Sequence, residues 1–306
     1  MARDYKKEDA RQQKVGVVMF RIALDFPSLM APPPPTGERG RPRVYGDRLV
    51  EGAAYLKALT GMSLRGVEGF VRACVRKFGP PDRPSIDATT LCRRIPGLKL
   101  SLPKRRLTDA CLVGDGTGLR LVDEGGYKKL VHGPDKGKRR IYQQVVIIAD
   151  AGTGEIVSID TGPFKKGSAS ETDRIQGLAA HDIQGGTLIW DGAGDCKAAY
   201  DACEGLGLRF LAPPSKAAAA KSDVFPPKHP RTKAVREIQS IGRKAWKRKH
   251  GYHRRSFAES VNARYKQMTG SSLATRNEDA KRVDVMARAL VFNATLQEDP
   301  RLMLQS

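Results

Sequence analysis

The sequence predicts a mixed α/β protein with a helical N-terminal region, and three observations predict it. Residues 47–78 carry apolar side chains at helical spacing. From Leu107 the character changes to Val- and Ile-rich runs separated by tight turns, which read as strands. Beyond Asp173 strands and helices alternate, the order of an α/β sheet.

The elements follow in order. Residues 1–30 are mixed and give no clear pattern. Pro32 to Pro35 leads into Thr36-Gly-Glu-Arg-Gly-Arg-Pro-Arg43, an extended basic linker or arm. Asp47 to Leu59 reads as a helix. Leu64, Val67, Phe70, Val71, Cys74, Val75 and Phe78 form one apolar stripe of a second helix, which Gly79-Pro80-Pro81 ends. A short helix from about Ser85 carries Thr89, Thr90, Arg93 and Arg94. Two helices, a turn and a short basic helix resemble a helix-turn-helix layout, although any small helical bundle gives the same pattern. Strands are expected at Ala110–Val122, Arg140–Asp150 and Glu155–Asp160, with Ala151-Gly-Thr-Gly154 as the turn between the second and third. A short helix at Asp173–Ala180, a buried strand at Thr187–Trp190, a helix at Lys197–Gly205 and a strand at Leu208–Leu211 follow. Helices then cover Val235–Lys249, Arg255–Met268 and Asp279–Leu296. Three strands in meander followed by alternating strand and helix match the ribonuclease-H-like layout.

Charge points to the partner. The chain has 306 residues, with 54 Lys plus Arg against 33 Asp plus Glu, a net charge of +21. A charge so far from zero bears on association, not on fold, and phosphate-rich nucleic acid is the partner it suits. A ribosomal or generally adhesive basic protein is the blander alternative. The surplus is uneven: residues 228–266 hold thirteen Lys or Arg and only two acids, Glu237 and Glu259. Trp246 and Tyr252 are interleaved with this run, an arrangement that favours a DNA groove over a merely solvated helix face. No apolar run reaches the length of a membrane helix, and residues 1–8 lack the apolar core of a signal peptide, so a cytoplasmic, nucleoid-associated protein is expected. The five cysteines show no C-x-x-C pair, which argues against a zinc site or a disulfide framework.

Three acidic positions carry the chemistry. Asp115 interrupts an apolar strand, where a carboxylate is costly unless compensated. Asp191 ends the run Leu188-Ile-Trp-Asp-Gly192, at the carboxyl end of a strand, a usual ligand position in α/β sheets. Glu259 lies on a helix whose apolar stripe is Phe257, Val261, Tyr265 and Met268, while Arg255, Glu259, Asn262 and Lys266 share another face. Taken alone, that face reads better as an ordinary solvated row of ion pairs. Together the three carboxylates suit phosphodiester cleavage, which needs charge on the scissile phosphate neutralised and a nucleophile activated. Two divalent ions, Mg²⁺ or Mn²⁺, do both. Arg255 and Lys266 would position DNA phosphates.

The stretch Tyr252-His-Arg-Arg255-Ser-Phe-Ala-Glu259, with Lys266 seven residues on, matches the signature Y-x2-R-x3-E-x6-K at every defined position. The chain thereby resembles a superfamily of bacterial insertion-sequence transposases. Thr90-Leu-Cys-Arg-Arg94, Asp115-Gly-Thr-Gly-Leu119, Asp191-Gly-Ala193, Ala212-Pro-Pro214 and Gly251-Tyr-His-Arg-Arg255 resemble the branch called insertion sequence family five. The resemblance implies a ribonuclease-H-like core and an Asp-Asp-Glu triad of Asp115, Asp191 and Glu259 binding two Mg²⁺ or Mn²⁺ ions. It also implies binding of terminal inverted repeats, strand cleavage, transfer of 3′-hydroxyl ends to target DNA, and assembly of several copies on DNA. Tyr252, Arg255 and Lys266 match DNA-contacting positions, and Arg254, Asn262, Arg93 and Arg94 are further candidate DNA contacts. Two positions depart from the pattern. Gly194 stands where relatives place an aromatic, and Ser215 where they tend to carry Arg.

The expected organisation is an N-terminal arm and Pro-rich linker over 1–42, a helical DNA-binding region over 43–100, and a catalytic domain over 107–300. Two rivals use the same residues. A stand-alone ribonuclease-H-like nuclease would not need the helical region. A domesticated or degenerate transposase would bind DNA without cleaving it.

Overall fold

The computed structural model describes residues 5–29, 33, 37, 44–79, 85–122, 142–163, 173–218 and 225–297. In chain order these form α1 (Tyr5–Leu29), α2 (Asp47–Thr60), α3 (Leu64–Phe78), α4 (Ala88–Arg94), β1 (Arg106–Leu121), β2 (Tyr142–Asp150), β3 (Ile156–Pro163), β4 (Asp182–Ile189), α5 (Lys197–Gly205) and β5 (Arg209–Leu211). There follow α6 (Pro230–Ile241), α7 (Arg243–Lys249), α8 (Ser256–Thr269), β6 (Ser272–Leu273) and α9 (Glu278–Leu296). Short 3₁₀ turns stand at Ile95–Gly97, Asp173–Ala180, Gly192–Gly194 and Tyr252–Arg255. No described helix is long and apolar enough to cross a membrane.

The chain divides into two compact units. One comprises residues 1–101, 121–139 and 265–306, the other residues 102–120 and 140–264. The first is helical. Val18, Ile22 and Phe26 repeat every four residues along α1 and are buried with Leu49, Ala53 and Leu56 of α2 and with Val67, Val71 and Val75 of α3. Residues 5–29, which give no clear pattern as sequence, are thus a core helix. Ser63 caps α3 by accepting from Gly66 N at 3.2 Å, and Asp87 caps α4 by accepting from Thr90 N at 2.8 Å. The division expected near residue 100 is crossed by the packing. Val283, Ala287, Val291 and Ala294 of α9 lie in this same helical core, although α9 follows the sheet in sequence. Of the basic linker expected over 32–43, only Pro33 and Gly37 are among the described residues.

The second unit holds the sheet, in the order β3-β2-β1-β4-β5. β1, β2 and β3 run antiparallel in sequence, and β4 and β5 add in parallel on the other side of β1. This mixed arrangement is the ribonuclease-H-like core. β2 is buried from Gln143 to Ala149, as a central strand covered on both faces should be. One face packs Leu112, Val146, Leu188 and Trp190 against Ala199, Tyr200 and Cys203 of α5. The single helix expected at Val235–Lys249 is two helices. Gly242, with φ +81° and ψ 151°, lies in a conformation that favours glycine, and it breaks the run into α6 and α7. The short helix at Asp173–Ala180 is a 3₁₀ turn, and the strand expected at Thr187 begins at Asp182.

Candidate active site

Two of the three carboxylates are placed by strand register. β1 and β4 are parallel neighbours with Val113 opposite Ile189. Asp115 and Asp191 each stand two residues beyond that pair. They therefore come out side by side, about one strand spacing of roughly 4.8 Å apart in backbone terms. Asp115 remains within β1, opposite Ile147 of β2. Asp191 lies just past the end of β4, where its Oδ1 accepts from Ala193 N at 2.9 Å and caps the Gly192–Gly194 turn.

The third carboxylate comes from a helix. Gly251, at φ +65°, turns the chain out of α7 into the Tyr252–Arg255 turn, which runs directly into α8. Arg255 ends that turn and Glu259 sits in the first turn of α8. The Arg255 guanidinium then meets all three acids. Its Nη1 donates to Glu259 Oε1 at 2.6 Å and its Nη2 to Asp115 Oδ1 at 3.3 Å, and Nη2 lies 3.9 Å from Asp191 Oδ2. Asn262, one turn beyond Glu259, donates from Nδ2 to Asp115 Oδ2 at 3.0 Å. Two buried polar atoms in this cluster have no partner, Arg255 Nε and Asn262 Oδ1.

Electrostatics follows from the geometry. Burial pushes the Asp115 carboxyl above its ordinary range. Arg255 and Asn262 oppose that shift, and the neighbouring carboxylates of Asp191 and Glu259 add to it. Burial also raises the Tyr252 phenol, which lies within the field of the same three acids. The donor set is all oxygen, the kind Mg²⁺ and Mn²⁺ prefer. Among the described residues, however, no three acidic, His or Cys groups are drawn together closely enough to hold a metal as they stand. The cation the carboxylates share is Arg255.

The other expected contacts separate into three kinds. Arg254 is exposed, as are Lys244 and Arg248 on α7 and Arg236 on α6. Asn262 is only 7% exposed and is committed to Asp115, so it belongs to the acid cluster and not to an outer surface. Trp246 and Tyr252, expected to be part of a DNA groove, are interior. The Trp246 ring lies 5.0 Å from that of His250 and 6.5 Å from that of Tyr252, because helical spacing turns it away from the exposed cations around it. Lys266 follows on α8 within the residues of the helical unit. In that unit Arg94 is engaged with Tyr45 O at 2.6 Å and Asp47 Oδ1 at 2.5 Å, whereas Arg93 is exposed on the seven-residue α4.

One supporting residue has no signature in the sequence. Asp195 is buried and paired with Arg231 Nε at 2.9 Å, and it accepts from Ser215 N at 3.3 Å. It ties the turn that begins at Asp191 to α6 and to the loop after β5. Nothing in the local pattern distinguishes it from the neighbouring polar residues; only the fold brings Arg231 to it. The two departures from the family pattern also gain a setting. Gly194 packs against Trp190, where an added Cβ would stand 2.6 Å from Cδ1 of the indole, so this chain has no room for an aromatic there. Ser215 serves through its backbone, as the donor to Asp195.

Comparison with known proteins shows the family. A family model described as Transposase DDE domain matches residues 107–294, and a second model of the same description matches residues 13–124. Among solved structures, a chain of the simian T-cell lymphotropic virus intasome in complex with PP2A regulatory subunit B56 gamma, determined by cryo-EM, shares 11% identity with this one. It covers 78% of this chain and 68% of its own at a TM-score of 0.29, too slight a likeness to carry an argument. The first match alone spans more than half of the sequence and contains Asp115, Asp191 and Glu259. The chain therefore belongs to the DDE transposases, metal-dependent polynucleotidyl transferases with a ribonuclease-H-like core.

Proposed function

We propose that the protein is the transposase of an insertion sequence of family five, and that Asp115, Asp191 and Glu259 are its catalytic and metal-holding residues. The observation that carries this reading is the convergence of three carboxylates from three separate elements on one guanidinium. Three carboxylates that share one guanidinium are in want of positive charge, and a metal ion meets the same want. Divalent ions held there would neutralise the scissile phosphate and supply an activated hydroxyl.

The protein's own groups have separable tasks. Asp115 and Asp191, fixed by the parallel register of β1 and β4, provide the rigid side of the site. Glu259 reaches it from α8. Asn262 holds the Asp115 carboxylate in one orientation. Arg254 and the exposed cations of α6 and α7 hold the DNA backbone, with Arg255 and Lys266 as further phosphate contacts. Recognition of the terminal inverted repeats falls to the helical region over 43–100, with Arg93 exposed on α4, and the enzyme assembles as a homo-oligomer on DNA.

The test is strand cleavage with Mg²⁺ on DNA that carries the element's own end, comparing the wild type with Asp191→Ala. Nicking by the wild type should vanish in the variant, a loss of at least about 10²-fold for removal of a group acting on the transition state. Tight binding without cleavage by either protein would instead favour a degenerate transposase that acts only through DNA binding.

A further inference from the structure

Arg255 stands where a divalent cation would be expected. One guanidinium bridges Glu259 at 2.6 Å and Asp115 at 3.3 Å, and it lies 3.9 Å from Asp191. Among the described residues the acids are not gathered tightly enough to hold a metal with this group between them. The Nε of Arg255 is buried without a partner, while its planar head donates to Glu259 and Asp115 and lies at ion-pair distance, 3.9 Å, from Asp191. Asp115 does not depend on Arg255 alone, since Asn262 holds its other oxygen at 3.0 Å. Removal of the guanidinium therefore leaves one carboxylate still oriented and three carboxylates in want of positive charge.

We propose that Arg255 is the resident counter-ion of the triad and competes with divalent metal for it: metal enters as the guanidinium leaves. The inference rests on the reading of Asp115, Asp191 and Glu259 as metal-holding residues. Its physical basis is exclusion. Two cations cannot share one set of carboxylate oxygens without mutual repulsion, which is strong at these distances. The displaced side chain keeps a use, because a planar fork that fits carboxylate also fits phosphate. DNA phosphate drawn to Arg255 would help to clear the triad for metal, and metal in the triad would free Arg255 for phosphate. Such coupling is reciprocal by thermodynamic necessity. The arginine would thereby keep the acid cluster intact, and largely free of metal, until DNA arrives.

The consequence runs against the usual effect of removing a residue from an active-site signature. Substitution of Arg255 should improve metal binding in the absence of DNA. The measurement is Mn²⁺ affinity of the full chain without DNA, read from the electron paramagnetic resonance of free Mn²⁺, at fixed pH and salt. Arg255→Gln should bind Mn²⁺ about three- to tenfold more tightly than the wild type, the scale of removing one competing, partly exposed charge. Arg255→Lys, which keeps the charge but loses the fork, should show a smaller gain, and it decides the question if Arg255→Gln does not fold. Equal or weaker Mn²⁺ binding by a folded Arg255 variant overturns the competition. Asp191→Asn separates this failure from a deeper one. If wild-type Mn²⁺ binding is indifferent to Asp191→Asn, the ion sits elsewhere, and the reading of the triad falls together with the inference.

Discussion

Gly114 and Gly194 stand against the same indole, and together they show how single residues set the site. A Cβ added at Gly114 would lie 2.0 Å from Trp190 Cζ3, and one at Gly194 would lie 2.6 Å from Cδ1. Trp190 immediately precedes Asp191 and Gly114 immediately precedes Asp115, so the ring packs against the backbone next to each of these carboxylates. Gly114→Ala should therefore destabilise the fold by about 1–3 kcal/mol or more, seen as a lower melting temperature, and Trp190→Leu should recover part of the loss in the double variant. An unchanged melt for Gly114→Ala would mean that the ring lies elsewhere. Asp115 is costly to the fold where it stands. Its pKa is raised in the fold, chiefly by burial, so the folded state binds a proton more readily than the unfolded one. The linkage then makes stability fall as pH rises through that raised pKa. Metal-free Asp115→Asn should melt above the wild type at pH 7, with the difference closing as pH falls into the ordinary carboxylate range. A variant that melts lower at pH 7 would show that its partners outweigh burial. Asp115 stands out in the sequence because an acid inside an apolar strand is costly. Trp190 against Gly114, Asp195 paired with Arg231 and Arg255 among three acids do not, because each contact depends on a neighbour distant in sequence.

At the scale of elements, α9 has the most informative pattern. It is buried nearly all round, Lys281, Asp284 and Arg288 included, which no amphipathic stripe announces. Asp284 pairs with Lys57 of α2 at 2.5 Å and with Arg288 at 2.8 Å, and Arg288 donates on to Gly270 O and Ser272 O. Burial pushes the Asp284 pKa up, but Arg288 and Lys57 outweigh it, and the net shift is downward. Such a carboxylate stabilises the fold above its unfolded pKa, and that stability is lost as pH falls through the lower folded one. Asp284→Ala leaves the buried Arg288 and the partly buried Lys57 without their counter-charge and should destabilise by about 3–5 kcal/mol in denaturant titration at pH 7. A change under about 1 kcal/mol would mean that water reaches the pair and screens it. Helix and strand spans were largely legible from periodicity. The break at Gly242 and the burial of Trp246 were not, because both are settled by what α6 and α7 pack against.

For the molecule as a whole, charge is the dominant quantity. A surplus of +21 over 306 residues, half of it within 228–266, makes DNA affinity a matter of phosphate neutralisation. The logarithm of the binding constant should fall linearly with the logarithm of salt concentration, with a slope of about −0.9 per phosphate contact. Lys244→Gln with Arg248→Gln, both exposed on α7, should make that slope shallower by about 1–2 if these residues touch the backbone. An unaltered slope would remove α7 from the DNA path. The sequence by itself determined the mixed α/β order, the basic stretch over 228–266, the three acidic positions and the signature around Glu259. These are properties of period, composition and spacing, which act over a few residues or a few turns. Only the tertiary structure decided that Asp115 and Asp191 share a register and that α9 belongs to the helical core. It alone decided that Tyr252, Trp246 and Asn262 face inward and that one arginine holds all three carboxylates. Those outcomes depend on contacts between residues far apart in the chain, such as Lys57 with Asp284, 227 residues on, and no local pattern encodes the partner of a contact that folding alone brings together.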